Sequence, residues 1–392
     1  MPTVEHLAAA DFDEVMCMMR TAFGGEKHPR FEELLPTIYQ PTDRDMANLF
    51  AVRDKGAIVS ATGAFPRTWC VGDAQLTLIG IGGVATLHEY RGKGLMSQTM
   101  SAIVQVMRDE GVHASFLGGQ RQRYRTFGWD KAGFQLEFKL LSKNFLREPV
   151  GDVPVVTLMP LDPAATKTLK RLHELYDAMP MHCVRESDRF EMYTRTWGNT
   201  PFVARDDTGK VVGSVILSRD GGTVIELVGA DVMSRWAMLR AAYEQLNMAA
   251  DAGGMVWLTL RHEFGPDAWT QLLGRAAEIT CVQNSGNWFI LDWQAVTNAL
   301  MRVRHTLSPL SEGVVVLDIE GCPQRLRIFV SGSDAGSEWC SADADVQVDR
   351  FTANRLLFGP TPPWCVMPLP TEACQLNAWC PLPLVVPLQD QV

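Results

Sequence analysis

The stretch VATLHEYRGKGLM, Val84 to Met96, joins the end of a strand-like pattern to the start of a helical one through a loop studded with glycine. Upstream, AQLTLIGIGGVATL is dense in apolar and β-branched residues and reads as a strand. Downstream, Met96, Met100, Ile103, Val104 and Met107 recur at i, i+4, i+7, i+8 and i+11, which predicts one apolar helix face, and Gly111 stops the helix. ASFLGG then reads as a short buried strand. Strand, loop, helix, strand is the plan of an α/β unit whose ligand sits at the carboxyl ends of the strands.

Such a loop suits an anion. The first turn of a helix offers unpaired N–H groups and a partial positive charge. Glycines let those groups approach a phosphate closely. Arg91 adds a positive charge at the loop entrance. The spacing has neither the GxGxxG of a dinucleotide fingerprint nor the GxxxxGK[ST] of a nucleotide P-loop.

The whole chain sets wider bounds. Its 392 residues suggest two or three domains, and 46% hydrophobic residues with eleven Trp and seventeen Phe supply large cores. A net charge of −9 and a pI near 5.4 argue against nucleic acid as the main partner and suit a cationic small molecule or peptide. Nine scattered cysteines without a CxxC predict reduced thiols rather than a disulfide framework. With no signal-peptide pattern and no apolar run of about 20 residues, the expectation is a cytoplasmic protein that does not enter a membrane. Eight dispersed histidines show no metal spacing, so no metal is expected, and no GxSxG marks a serine hydrolase.

A second block repeats the order of the first. TPFVARDDTGKVVGSVILS reads as a hairpin, TVIELVGA as a strand, MSRWAMLRAAYEQLNMAADAG as a helix and MVWLTLR as a strand. FAVRDKGAIVSATG aligns with FVARDDTGKVVGSV, an internal duplication. The second loop, VGADVMSRWAM, lacks the glycines of Arg91-Gly92-Lys93-Gly94, so only the first copy is equipped for phosphate. From about Trp288 the pattern changes to further strands and helices, ending in a proline-rich apolar segment expected to pack against the rest.

The loop and its strand resemble the acetyl-coenzyme A loop of the GNAT acyltransferases. That resemblance implies that Val84, Ala85 and Thr86 line the pantetheine arm while Arg91, Gly92, Lys93, Gly94, Leu95 and Met96 cap the pyrophosphate. Met96 departs from the Gly or Ala that most members carry there. The segment Tyr-Arg-x-Phe-Gly-Trp from Tyr124 to Trp129, followed by Ala-Gly, resembles that of the enhanced intracellular survival (Eis) type of N-acetyltransferase. A phenol keeps its proton at pH 7 and can donate it to a leaving thiolate, and the resemblance makes Tyr124 the general acid.

The Eis resemblance covers nearly the whole chain. It implies a mixed α/β and α+β architecture: tandem GNAT-like domains, each a mixed central sheet with flanking helices, followed by a sterol-carrier-protein-like domain. The expected divisions are 1–150, 151–285 and 286–392. By the same resemblance PLPLVVPLQDQV brings the Val392 carboxylate into the site as the base that takes a proton from the amine; Asp390, two residues before it, offers further negative charge. It also implies acetyl-coenzyme A as co-substrate, a primary amine as acceptor (aminoglycoside, polyamine or lysine) and a hexamer. Glu26, Glu32 and Glu33 are candidates for an amine pocket, although a solvated helix face accounts for them better. His88 and His113 read as surface or packing residues. A rival reading makes the C-terminal domain a lipid binder and the rest a sensor or scaffold.

Overall fold

Two tight turns build the centre of the protein. In the turn between the strands Leu49–Asp54 and Ala57–Val71, Lys55 (φ 50°) and Gly56 (φ 87°) are both left-handed, the two-residue geometry whose twist matches an antiparallel hairpin. A second two-residue turn leads into Ala74–Thr86, giving a long hairpin that is almost wholly buried on one face. The computed structural model describes residues 3–25, 29–245, 257–262 and 267–392. Glu26, residues 246–253 at the end of the helix expected to follow TVIELVGA, and the start of the strand MVWLTLR lie outside the described residues.

Among the described residues there are three sheets. The first runs in the order Val4–His6, Leu49–Asp54, Ala57–Val71, Ala74–Thr86, Ala114–Leu117, Gly286–Ile290, Asp130–Ala132, with Met181–Cys183 added on the edge of Ala57–Val71. The helix Leu95–Asp109 crosses between Ala74–Thr86 and the parallel Ala114–Leu117. Its buried residues are Leu95, Thr99, Met100, Ile103 and Met107, so Met96 and Val104 fall at the margin of the face expected for them. A hydroxyl pair, Thr62 and Thr99 at 2.8 Å, ties the helix to the sheet.

The second sheet holds Ile279–Gln283, Gln135–Leu141, Trp257–His262, Thr223–Gly229, Val211–Leu217, Thr200–Asp206 and Val156–Pro160. Hairpin, strand, helix and parallel strand follow one another here as in the first sheet. The third sheet comprises Asp334–Cys340, Arg325–Ser331, Gly313–Ile319 and Val346–Val348, with the helix Trp293–Leu307 against it.

Sheet membership does not follow linear order. Gln135–Leu141, before the division expected at 150, belongs to the second sheet. Gly286–Ile290, just after the division expected at 285, is inserted into the first. One buried cluster therefore runs from Trp69, Leu78 and Trp288 of the first sheet to Trp293, Leu317 and Leu356 beyond it. The last segment packs into that cluster through Leu382, Leu384, Val385 and Val386. Among the described residues no helix is long and apolar enough to cross a membrane.

Candidate active site

The strand Ala74–Thr86 splits from its neighbour. Its parallel pairing with Ala114–Leu117 runs from Leu78 opposite Ala114 to Ile81 opposite Leu117 and then stops. On its other edge it stays paired with Ala57–Val71 out to Thr86 opposite Ser60, through a bulge near Gly82. From Gly82 onward one backbone edge is thus left open, and it leads directly to the loop.

In the loop Gly92 (φ 78°) and Gly94 (φ 76°) are left-handed, and a Cβ at either would meet nothing within 4 Å. Backbone shape, not crowding, calls for glycine there. Arg91 braces the loop: its Nε donates to the Thr86 carbonyl (3.2 Å) and its Nη2 to the Ala22 carbonyl (3.0 Å). The result is an open cavity of about 600 Å³ at the N-terminus of the helix Leu95–Asp109. Val84, Ala85, Thr86, Arg91, Gly92, Gly94, Leu95 and Met96 line it, joined by Ala22, Phe23 and Arg123 from other elements. Lys93 does not line it; its ammonium lies 4.4 Å from the Tyr90 ring centre.

Tyr124 sits on the short helix Arg121–Arg125, in the buried cluster that contains Ile81 and Leu117, where the two strands part. Burial pushes its phenol above the usual tyrosine range, with Arg123 opposing. The neutral form is favoured, as proton donation requires.

Val392 packs on the opposite face of the same strand. A Cβ on Gly80 would lie 2.8 Å from Val392 Cγ2, and one on Gly82 would lie 3.1 Å from the Val392 carboxyl carbon. A side chain at either position would push Val392 away from the strand. The carboxyl group has no ion-pair partner among the described residues.

The segment before Val392 is held by residues of the middle of the chain. Arg185, fully buried, donates from Nε to Asp390 Oδ1 (3.1 Å) and from Nη2 to Oδ2 (2.8 Å), and also binds both oxygens of Glu226. Tyr176 Oη donates to Asp390 Oδ2 (3.1 Å) and its ring lies 3.8 Å beneath the guanidinium. Gln389 accepts from Asn199 and donates to the Tyr193 carbonyl. Burial works against the Arg185 charge, but the two carboxylates outweigh it and raise its pKa. Asp390, expected to supply further negative charge, has that charge matched by Arg185 and anchors the tail.

Glu32 pairs with Arg30, and Glu33 is exposed beside it. His113 Nδ1 accepts from the Thr77 N–H (2.9 Å), a structural contact, and His88 lies in the turn before the loop. The nine cysteines are free. Among the described residues no group of three or more His, Cys, Asp or Glu could hold a metal. Sequence reasoning missed Arg123 and the Arg185 socket. It also missed Gly80 and Gly82, whose signal was in view, because glycine inside a strand marks close approach of another chain segment.

A split parallel strand pair opens here onto a glycine loop at a helix N-terminus, a geometry that suits an anion. Residues 3–132 match the family described as acetyltransferase (GNAT) domain. By that match residues 3–132 form a GNAT-type acetyltransferase domain within a chain of mixed α/β fold, and GNAT acetyltransferases use acetyl-coenzyme A. No curated protein matches the chain. Among solved structures it is similar in fold to a GCN5-related N-acetyltransferase from Kribbella flavida (20% identity, TM-score 0.70, covering 100% of this chain and 98% of that one). It is also similar to a probable N-acyltransferase from Enterococcus faecalis V583 (16%, 0.68, 97% of each) and to Eis1 from Mycobacterium abscessus (13%, 0.65, 97% of each).

Proposed function

We propose that the protein transfers acetyl from acetyl-coenzyme A to a primary amine by direct attack, with Tyr124 as general acid and the Val392 carboxylate as base. The observation that carries this is the packing of Val392 on Gly80 and Gly82, at the mouth of the strand split whose other face holds Tyr124. Acid and base on opposite faces suit a direct displacement. The carboxylate takes a proton from the incoming amine on one side, and the phenol gives one to the leaving thiolate on the other. No covalent enzyme intermediate forms, and none of the cysteines is needed.

The cradle fits the co-substrate. The open edge from Gly82 to Thr86 offers backbone groups to a pantetheine arm, and the loop and helix N-terminus offer N–H groups to the pyrophosphate. Replacing Gly94 by Val forces a β-branched residue into left-handed backbone, and we expect the KM for acetyl-coenzyme A to rise about tenfold or more, roughly 1.4 kcal/mol or more. Steady-state titration of the co-substrate measures this.

The finer organisation is the Eis-type one: the second domain lacks a cofactor loop and the sterol-carrier-like domain delivers the tail. Among the described residues, Val232–Gln245 begins without the paired glycines of the first copy, which supports that reading. A cytoplasmic hexamer belongs to the same proposal. The test is mass-spectrometric detection of acetylated product across aminoglycosides, polyamines and lysine peptides, beside acetyl-coenzyme A binding. Tyr124→Phe should lower kcat by about 10²-fold or more at neutral pH. Because the Tyr124 pKa is raised, wild-type activity should persist to pH values above the usual phenol pKa before falling. Tight co-substrate binding with no product from any amine would turn the reading to a sensor or scaffold.

A further inference from the structure

Arg67 stands on the strand Ala57–Val71 opposite Leu78, on the sheet face over which Val392 packs. It is 9% exposed. Nε donates to the Asp390 carbonyl (3.2 Å) and Nη1 to the Pro66 carbonyl (3.1 Å). Among the described residues no carboxylate lies within ion-pair distance of it, and Nη2 has no hydrogen-bond partner. A buried guanidinium left without a counter-charge is costly, and its planar fork matches a carboxylate.

The side chain lines a cavity of about 320 Å³ with Ile38, Phe65, Pro66 and Tyr193. This cavity is separate from the one at the glycine loop. Its walls also seat the tail: Arg67 holds Asp390, the Tyr193 carbonyl takes Gln389, and Ile38 and Phe65 belong to the cluster against which Val392 packs. The other charges on the wall are already matched, Arg44 by Glu186 and Arg189 by Asp45. An approaching polycation would find no unpaired carboxylate on this wall, whereas an anion would find Arg67.

We infer that the acceptor is an amine that also carries a carboxylate, bound by Arg67 in this cavity. The inference rests on the reading of Val392 as base. Arg67 grips the Asp390 carbonyl at 3.2 Å, two residues before Val392, so base and guanidinium are separated by about 10 Å at most with the backbone between them extended. That spacing selects an ω-amino acid over an α-amino acid, and the apolar wall of Ile38, Phe65 and Pro66 suits the methylenes between the two ends.

The experiment compares 6-aminohexanoate with pentylamine, the same chain without the carboxylate, using the full protein and saturating acetyl-coenzyme A. A charge-assisted pair gives about 10–100-fold in kcat/KM, most of it in KM. Wild type should prefer 6-aminohexanoate by that factor. Arg67→Met should erase the preference and Arg67→Lys should restore part of it, which a merely structural role would not do. Equal turnover of the two amines by wild type overturns the anion subsite and leaves acetyl transfer standing. If pentanoate added to pentylamine raises turnover to the level of 6-aminohexanoate, the anion is a separate ligand and the acceptor assignment is overturned. If neither amine is acetylated although acetyl-coenzyme A binds, calorimetric titration with hexanoate decides. Binding that Arg67→Met abolishes supports the anion subsite without the acetyl-transfer reading, and no binding overturns it.

Discussion

One glycine added after Val392 should lower kcat by about 10²-fold or more while leaving the KM for acetyl-coenzyme A within about twofold. The addition moves the carboxylate by up to about 3.5 Å and places an amide where it had been. Misplacing a reacting group by even 1 Å can cost about 10²-fold. Anchors upstream of Val392 are untouched, because Asp390 still binds Arg185 and Gln389 still binds Asn199 and the Tyr193 carbonyl. The glycine cavity is lined by neither Val392 nor Asp390, so co-substrate affinity is an internal control. Val392→Ala keeps the carboxylate and loses only side-chain packing over Gly80, and it should cost less than about tenfold. Full activity in the extended protein would falsify the base assignment. Asp390 could not take over, being held between Arg185 and Tyr176.

The contrast between these controls reflects what a sequence carries locally. Gly92 and Gly94 are legible because the need for left-handed backbone is met within a few residues, and the helix after them announces its own face. Turns such as Lys55-Gly56 are legible for the same reason. Arg185 is not. Its partner Asp390 lies 205 residues away, and in sequence it is one arginine among many exposed ones. The insertion of Gly286–Ile290 between Ala114–Leu117 and Asp130–Ala132 was equally hidden. An apolar strand pattern states that a strand is buried but not which edge it joins, and two edges here accept it by antiparallel pairing. Gly80 and Gly82 fall between the two cases. Their presence in GIGG was visible, yet what approaches them is contributed by the far end of the chain.

The second large effect is expected at that hidden socket. Arg185→Met leaves Asp390 and Glu226 facing each other without the buried cation that both bind, and breaking such a pair costs about 3–5 kcal/mol. The variant should unfold at lower denaturant and should lose acetyl transfer by 10²-fold or more, because the tail no longer seats Val392 on Gly80 and Gly82. Stability and seating separate in the triple variant Arg185→Met, Asp390→Asn, Glu226→Gln. With no charge left to bury, most of the stability should return, since neutral replacements of a buried ion pair are often tolerated. Activity should not return, for the hydrogen bonds that fix the direction of the last residues are gone. Asp390→Asn alone keeps Arg185 paired with Glu226, so it should destabilise less than Arg185→Met yet still lower kcat with little change in the co-substrate KM. Denaturant titration and steady-state kinetics on the same four proteins measure both quantities. If activity rises with stability in the triple variant, the socket only stabilises the fold. If it stays low, the Arg185 socket, anchored on Glu226 of the second sheet, orients the last residues for the reaction.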